Sequence, residues 1–181
     1  MKNKYVKPIL WSIISFSIVV IIISVFKGPY FILTKYHYYS GYSKQKSQDY
    51  EGSIVAYTKV INYDSLFTTA YISRGSAYVD LKKYREAIAD YSKAIQQTPG
   101  NAQAYAYRGR AYYELKDSIN SLNDYNKSIS IDNKFAYAYY QRGLLNYAML
   151  QKFEEGCLDL KTALKLGMTE AKELLDNAGC E

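Results

Sequence analysis

Four glycines stand at a constant interval: Gly41, Gly75, Gly109 and Gly143 are each 34 residues apart. Tyr57, Tyr91 and Tyr125 keep the same interval. A fixed period of this length means that one supersecondary unit is copied along the chain and buries its apolar face on its neighbours. The second copy reads AYISRGSAYVDLKKYREAIADYSKAIQQTP, the third AYAYRGRAYYELKDSINSLNDYNKSISIDN and the fourth AYAYYQRGLLNYAMLQKFEEGCLDLKTALKLG. In the second, Tyr71, Ile72, Tyr78 and Leu81 recur at three- to four-residue spacing, and Ala87, Ile88, Tyr91, Ala94 and Ile95 do so again, which predicts two amphipathic helices. Small residues at Gly75 and Ala87, matched by Gly109 and Ser121, predict a close helix crossing with Tyr84 or Tyr91 beside it. Thr98-Pro99-Gly100-Asn101 ends the copy with a proline that cannot continue a helix. The expected fold is an all-α, helical-hairpin solenoid with a concave groove.

These units resemble tetratricopeptide repeats, in the variant with Arg-Gly in the first helix and Ala-Ile-x-Asp-Tyr in the second, here Arg74-Gly75 and Ala87-Ile88-Ala89-Asp90-Tyr91. Four units are expected, at 34–67, 68–101, 102–135 and 136–168. The first is degenerate, since His37, Ser40 and Lys44 stand where later units have Tyr, Arg and Tyr, and its leading helix is expected to pack less well, as a membrane-side cap. The fourth has one extra residue between Gly143 and Phe153. Residues 169–181 are expected to form a capping helix and tail, with Thr169 as N-cap and Ala171, Leu174 and Leu175 against the last repeat.

Arg74, Arg108 and Arg142 recur with Asp90, Asp124 and Asp159, whereas the first unit has Ser40 and Ala56 in those places. Joint presence and joint absence point to an ion pair inside each hairpin rather than to a row of ligand-binding cations. The resemblance implies that the inner face of each first helix lines the groove. Matching unit by unit gives Lys35, Tyr38, Tyr42 and Gln45, then Thr69, Ile72, Ser76 and Val79, then Gln103, Ala106, Arg110 and Tyr113, and finally Tyr137, Tyr140 and Leu144. Tyr38, Tyr42, Ile72, Arg110, Tyr113, Tyr137 and Tyr140 are the candidate contacts for a peptide or protein partner. Tyrosine supplies apolar area and a polar tip at low entropy cost, although the same rings can simply cover the superhelix. Relatives that grip a C-terminal carboxylate do so with Lys and Asn. Here Tyr38, Tyr42, Ser73, Gln103 and Tyr107 occupy those places, so that specificity is not expected.

The materials of catalysis are scarce. The single histidine, His37, sits among tyrosines with no second histidine or cysteine for a metal site. The glycines lie inside helices at fixed period, not in a phosphate-cradling loop. No enzymatic activity, cofactor, metal or small-molecule substrate is expected. The net charge of +6 belongs to the first 48 residues, which hold seven lysines and no acid, while the rest is nearly balanced. Nucleic acid is therefore not an expected partner. Cys157 falls where other units have Ile54, Ile88 and Leu122, which suits a buried thiol. A hairpin turning at Gly167 would also bring Cys180 beside it, and a disulfide there would need an oxidising compartment.

From Ile9 to Phe26 the chain carries no charge, with four serines as the only polar side chains in the run. Eighteen helical residues span about 27 Å, close to the roughly 30 Å hydrocarbon core of a bilayer. Residues 9–26 are read as a retained transmembrane helix, following a basic flank at 1–8 and preceding a linker at 27–33. No small-x-small site follows the run, which argues against a cleaved signal peptide. Lys2, Lys4 and Lys7 precede the run and Lys27 and Lys35 closely follow it, so the positive-inside rule leans slightly to an inner N-terminus and an extracytoplasmic repeat domain. The expected function is a single-pass, membrane-tethered adaptor that holds a peptide or protein in its groove. The alternative is a structural subunit of an oligomeric membrane-associated assembly.

Overall fold

In the computed structural model, which describes residues 30–180, the chain is a row of antiparallel helices with no strand among those residues. The first hairpin pairs α1 (30–46) with α2 (Tyr50–Tyr63). The second pairs α3 (Thr68–Asp80) with α4 (Tyr84–Gln97), the third α5 (Ala102–Glu114) with α6 (Ser118–Ile131), and the fourth α7 (Ala136–Ala148) with α8 (Phe153–Lys165). A short α9 (Ala171–Ala178) follows. The apolar run 9–26, its basic flank and part of the linker lie outside the described residues. Among the described residues no helix is long and apolar enough to cross a membrane.

Each hairpin closes on a contact between a missing side chain and a ring. An added Cβ would lie 2.7 Å from a Tyr57 ring carbon at Gly41, 2.7 Å from Tyr91 at Gly75 and 2.8 Å from Tyr125 at Gly109. Only glycine lets the first helix approach the tyrosine of the second so closely. The fourth hairpin solves the crossing with different residues. Leu160 replaces the tyrosine opposite Gly143, and Gly156 brings the two backbones together, its own added Cβ falling 3.1 Å from the Gly143 carbonyl oxygen.

The turn inside each hairpin places a non-glycine residue in the left-handed region: Gln48, Lys82, Lys116 and Gln151, with φ of 62°, 58°, 64° and 53°. The next amide reaches back around that residue, as in Lys83 N–H to the Tyr78 carbonyl at 2.8 Å and Asp117 N–H to Tyr112 at 2.9 Å. This helix-ending hydrogen bond offsets a conformation that usually calls for glycine. The extra residue of the fourth unit falls in this turn and shifts the left-handed position to Gln151. Second helices start on side-chain caps where one is available: Asp49 accepts from Gly52 N–H, and Asp117 from Asn120 N–H. Thr169, expected to cap α9, does not. Glu170 precedes the helix with helical backbone angles, and the Thr169 hydroxyl turns to the Glu170 carboxylate at 3.4 Å. The turn at Met168 already carries the chain into α9, so no extended cap residue is needed.

Cores are shared between units, not owned by them. Tyr71, Ile72, Ala87 and Tyr91 of the second hairpin pack with Ala104 and Ala111 of the third. Ala106 and Tyr125 pack with Ala138 and Leu145 of the fourth, and Leu160 and Ala163 pack with Ala171 and Leu175 of α9. First helices of neighbouring units also touch directly, α3 to α5 and α5 to α7, and so form one continuous layer.

The recurring arginines fasten this stack. Arg74, Arg108 and Arg142 donate in bidentate fashion to Asp90, Asp124 and Asp159 at 2.7–2.8 Å. The third guanidinium arm donates backward into the preceding unit, to the Thr58 hydroxyl at 2.9 Å, the Ser92 hydroxyl at 3.0 Å and the Asn126 amide oxygen at 2.6 Å. Each cation also lies over the tyrosine three residues before it, Tyr71, Tyr105 or Tyr139, at 5.7–5.8 Å. One side chain thus links three helices. Arg108→Ala and Asp124→Ala should each lower unfolding free energy by about 2–3 kcal/mol, since each leaves a largely buried partner unpaired. Urea titration of the double mutant should show a coupling of at least ~1 kcal/mol, and simple additivity would refute the pairing.

Candidate functional site

On the first-helix layer a cleft of about 200 Å³ draws residues from all four hairpins: Gln45 from α1, Ser76 and Asp80 from α3, Tyr107 and Arg110 from α5, and Tyr137 from α7. Val79 and the Tyr91 ring form its floor. The cleft exists because positions 34 residues apart fall on the same side of successive first helices. Its polar groups are fixed by one another. Gln45 donates to Asp80 at 3.2 Å, Tyr91 and Ser76 share their hydroxyls at 3.2 Å, and Gln103 donates to the Tyr107 hydroxyl at 2.9 Å. Three rings form a ladder across the units, Tyr91 to Tyr107 at 5.9 Å and Tyr107 to Tyr137 at 5.4 Å, both edge-on.

Arg110 is the cation of the cleft. It is exposed, unlike the three pairing arginines. Tyr137 and Glu114 support its charge and hold it above the ordinary range against partial burial. The Tyr137 hydroxyl is buried beside the Arg110 side chain. Burial raises its pKa, opposed by the adjacent Arg110. A side chain bearing a carboxylate or amide could therefore meet a guanidinium, an amide and phenol groups within one aromatic-walled cleft.

The expected contact residues are distributed unevenly. Arg110 and Tyr137 line the cleft. Tyr113 is half-buried beside it, with the Lys116 ammonium 5.5 Å over its ring. Ile72, expected on the lining, is buried, because α5 packs directly over α3. Ala106 is buried in the same way. Tyr38 packs against Tyr57 and Phe67 at 5.7 and 5.4 Å, while Tyr42 stays exposed under Lys46. Tyr140 turns away toward α9, where burial and then Glu170 and Glu173 raise its pKa. Asp80, Tyr91 and Tyr107 were not among the expected lining. Asp80 ends α3 and reaches back to the preceding unit, which helical periodicity alone does not reveal. His37 stacks on Tyr63 at 5.7 Å, and among the described residues no cluster of histidine, cysteine and acidic groups could hold a metal ion.

At the far end, Cys157 of α8 and Cys180 after α9 are joined by a disulfide across a Cα separation of 5.6 Å. The bond holds the end of the capping helix against the start of α8.

A family profile described as "TPR repeat" matches residues 75–116, and a second, "Tetratricopeptide repeat", matches residues 102–135. Among solved structures, the first TPR domain of Spaghetti (RPAP3), bound to the HSP90 peptide SRMEEVD, is 30% identical with a TM-score of 0.59. That match covers 64% of this chain and 93% of the other. The chain belongs to the tetratricopeptide repeat family. MamA is similar at 24% identity and a TM-score of 0.67, over 77% of this chain and 81% of that one. A thermophilic TPR protein of Thermus thermophilus reaches a TM-score of 0.73 at 17% identity, over 80% of each chain. No curated protein sequence matches significantly. Tetratricopeptide repeat proteins typically mediate protein–protein interactions, including peptide binding, and are generally scaffolds without enzymatic activity.

Two outcomes follow for this repeat domain. Burial pushes the pKa of Tyr57 up from 10.0 to about 12, and Tyr91 and Tyr125 rise further for the same reason. Their folded values exceed the unfolded one, so the stability they contribute is complete below pH 10 and is lost as pH climbs toward 12. Absorbance titration should show a class of tyrosines that ionises only together with loss of helical circular dichroism. For the disulfide, thiol labelling of denatured, unreduced protein should find no reactive cysteine. Reduction should destabilise the fourth hairpin and α9 by roughly 3 kcal/mol, from the loop that the bond closes.

Proposed function

We propose that the protein is a membrane-tethered tetratricopeptide adaptor that holds a peptide or protein segment in its concave cleft, outside the cytoplasm. The observation that carries this reading is the cleft itself: four hairpins contribute one hydrogen-bonded, aromatic-walled site around Arg110. Rigid rings and one exposed cation are the composition that binding surfaces favour. The partner-facing set is Arg110 and Tyr137 in the cleft, with Tyr42 and Tyr113 outside it, Tyr140 farther along toward α9, and Tyr38 and Ile72 as packed support. The uncharged run 9–26 in the sequence supports the tether. The Cys157–Cys180 bond and the slight excess of lysines before the run support an extracytoplasmic repeat domain. The second reading, a structural subunit of an assembly, draws on Ile119 and Leu158, which are exposed on second helices.

Photoreactive side chains at Tyr42 and Tyr113 should capture the same protein from native membranes, and one at Ile119 should not. Arg110→Ala should lower that yield about tenfold, the effect of losing one charge-assisted hydrogen bond. Equal capture from Ile119, or a defined homo-oligomer in detergent without other proteins, would favour the structural reading.

A further inference from the structure

The outer face of α1 is unlike the corresponding face of every later first helix. At the position of Tyr36 the later units have Ala70, Ala104 and Ala138, all with zero exposure, whereas Tyr36 is 66% exposed. Where Ser43 stands, they have the buried Ala77, Ala111 and Leu145. Where Ser40 stands, they have the arginine that reaches back into the preceding unit. All three elements of the stacking surface are therefore absent, and a tyrosine cannot enter a site built for a methyl group. A further repeat, or a second copy continuing the solenoid, does not fit here.

What replaces that surface is mostly aromatic and aliphatic. Phe31, Ile32 and Leu33 lie at its start, with Ile32 68% exposed. Tyr36 and Tyr39 follow on the outward side, and Lys46 ends the stripe. The Lys35 ammonium lies 4.7 Å over the Phe31 ring, with its stem along apolar surface. Exposed Tyr63 at the end of α2, 5.9 Å from the Tyr30 ring, continues the patch beside a hollow of about 440 Å³ lined by Tyr38 and Phe67. Lys44 is paired with Asp49 at 2.7 Å, and the Lys46 ammonium lies 5.4 Å over the Tyr42 ring. Aromatic and aliphatic side chains interleaved with lysines on one helix face are the composition of a helix lying in a membrane interface. The sequence adds a distance. The uncharged run ends at Phe26, and the four steps from there to Tyr30 span at most about 14 Å, so the start of α1 stays close to the surface of a membrane that holds the run.

We propose that the outward face of α1, from Phe31 to Tyr39, is seated in the interfacial layer of an anionic phospholipid bilayer, and so fixes the repeat domain against the membrane. This rests on the tether reading above. Trp11, the only tryptophan, lies within the run and reports the tether separately. In the full chain Cys157 and Cys180 are bonded, so Tyr36→Cys supplies a single free thiol for a nitroxide, and Ile119→Cys supplies an exposed reference. The protein is reconstituted into phosphatidylcholine vesicles containing phosphatidylglycerol. The ratio of oxygen to nickel-chelate accessibility should then be about tenfold higher for the Tyr36→Cys label than for the reference, while brominated lipid quenches Trp11. Quenched Trp11 with an aqueous label at position 36 keeps the tether and overturns the seating. A membrane-embedded label with unquenched Trp11 keeps the seating and overturns the tether, and failure of both signals overturns both. Dipolar broadening between labels at position 36 that disappears on dilution with unlabelled protein would mean that a second copy covers the face, which also overturns the proposal.

Discussion

The near-contact of a glycine with an aromatic ring sets the geometry on which everything else depends. With no Cβ at Gly41, Gly75 and Gly109, the first helix of each hairpin approaches Tyr57, Tyr91 or Tyr125 of the second closely enough for the ring to become the floor of the unit. That approach brings Arg74 and Arg108 within bidentate reach of Asp90 and Asp124. It also sets the first helices side by side, so that α3 meets α5 and α5 meets α7. The groove is the outer surface of that layer. In the fourth hairpin Leu160 and Gly156 replace the tyrosine and the small residue opposite it, yet Arg142 still reaches Asp159 at 2.7 Å. The spacing of the helices, not the ring itself, is what the ion pair requires.

Each guanidinium then converts separate hairpins into a stack. Its fork satisfies a carboxylate within the unit, and its third arm donates to Thr58, Ser92 or Asn126 of the unit before. A linear repeat protein is held by nearest-neighbour terms, and this hydrogen bond is one of them, repeated at each junction from the second unit to the fourth. The two ends break the series in different ways. At the start, Ser40 and Ala56 remove the pair and Tyr36 removes the receiving surface. At the other end α9 covers the last core, and the Cys157–Cys180 bond ties its end down. The asymmetry gives the molecule a polar, covalently closed tip and an aromatic base.

Most of the architecture was legible in the chain itself. The 34-residue interval placed the helix pairs, and the pattern of Arg and Asp, present in three units and missing from one, pointed to the ion pairs. The site was only partly legible. Arg110 and Tyr137 fall in the cleft because helical phase determines on which side they emerge. Ile72 has the same phase but is buried, since how far α5 overlaps α3 depends on the size of the intervening side chains, here Ala104 and Ala106. Asp80 and Tyr91 entered the cleft from a helix end and a second helix, which matching of first-helix positions does not sample, while Tyr107 is a first-helix residue at a position outside the matched set. The backward arm of each arginine was invisible for a related reason: its acceptors are Thr, Ser and Asn, three residue types that share only a polar oxygen.

By itself the sequence determined the repeat, the helical class, the location of excess positive charge and the absence of a stacking code in the first unit. These are properties of spacing and residue type, which survive any arrangement of the units. Only the tertiary structure decided which tyrosines are floor, wall or free surface, and that one cation stands exposed among rings drawn from three hairpins. It also decided that Cys157 and Cys180 meet. Burial and proximity between units arise from the overlap of neighbouring helices, a quantity set jointly by many side chains and carried by no single position.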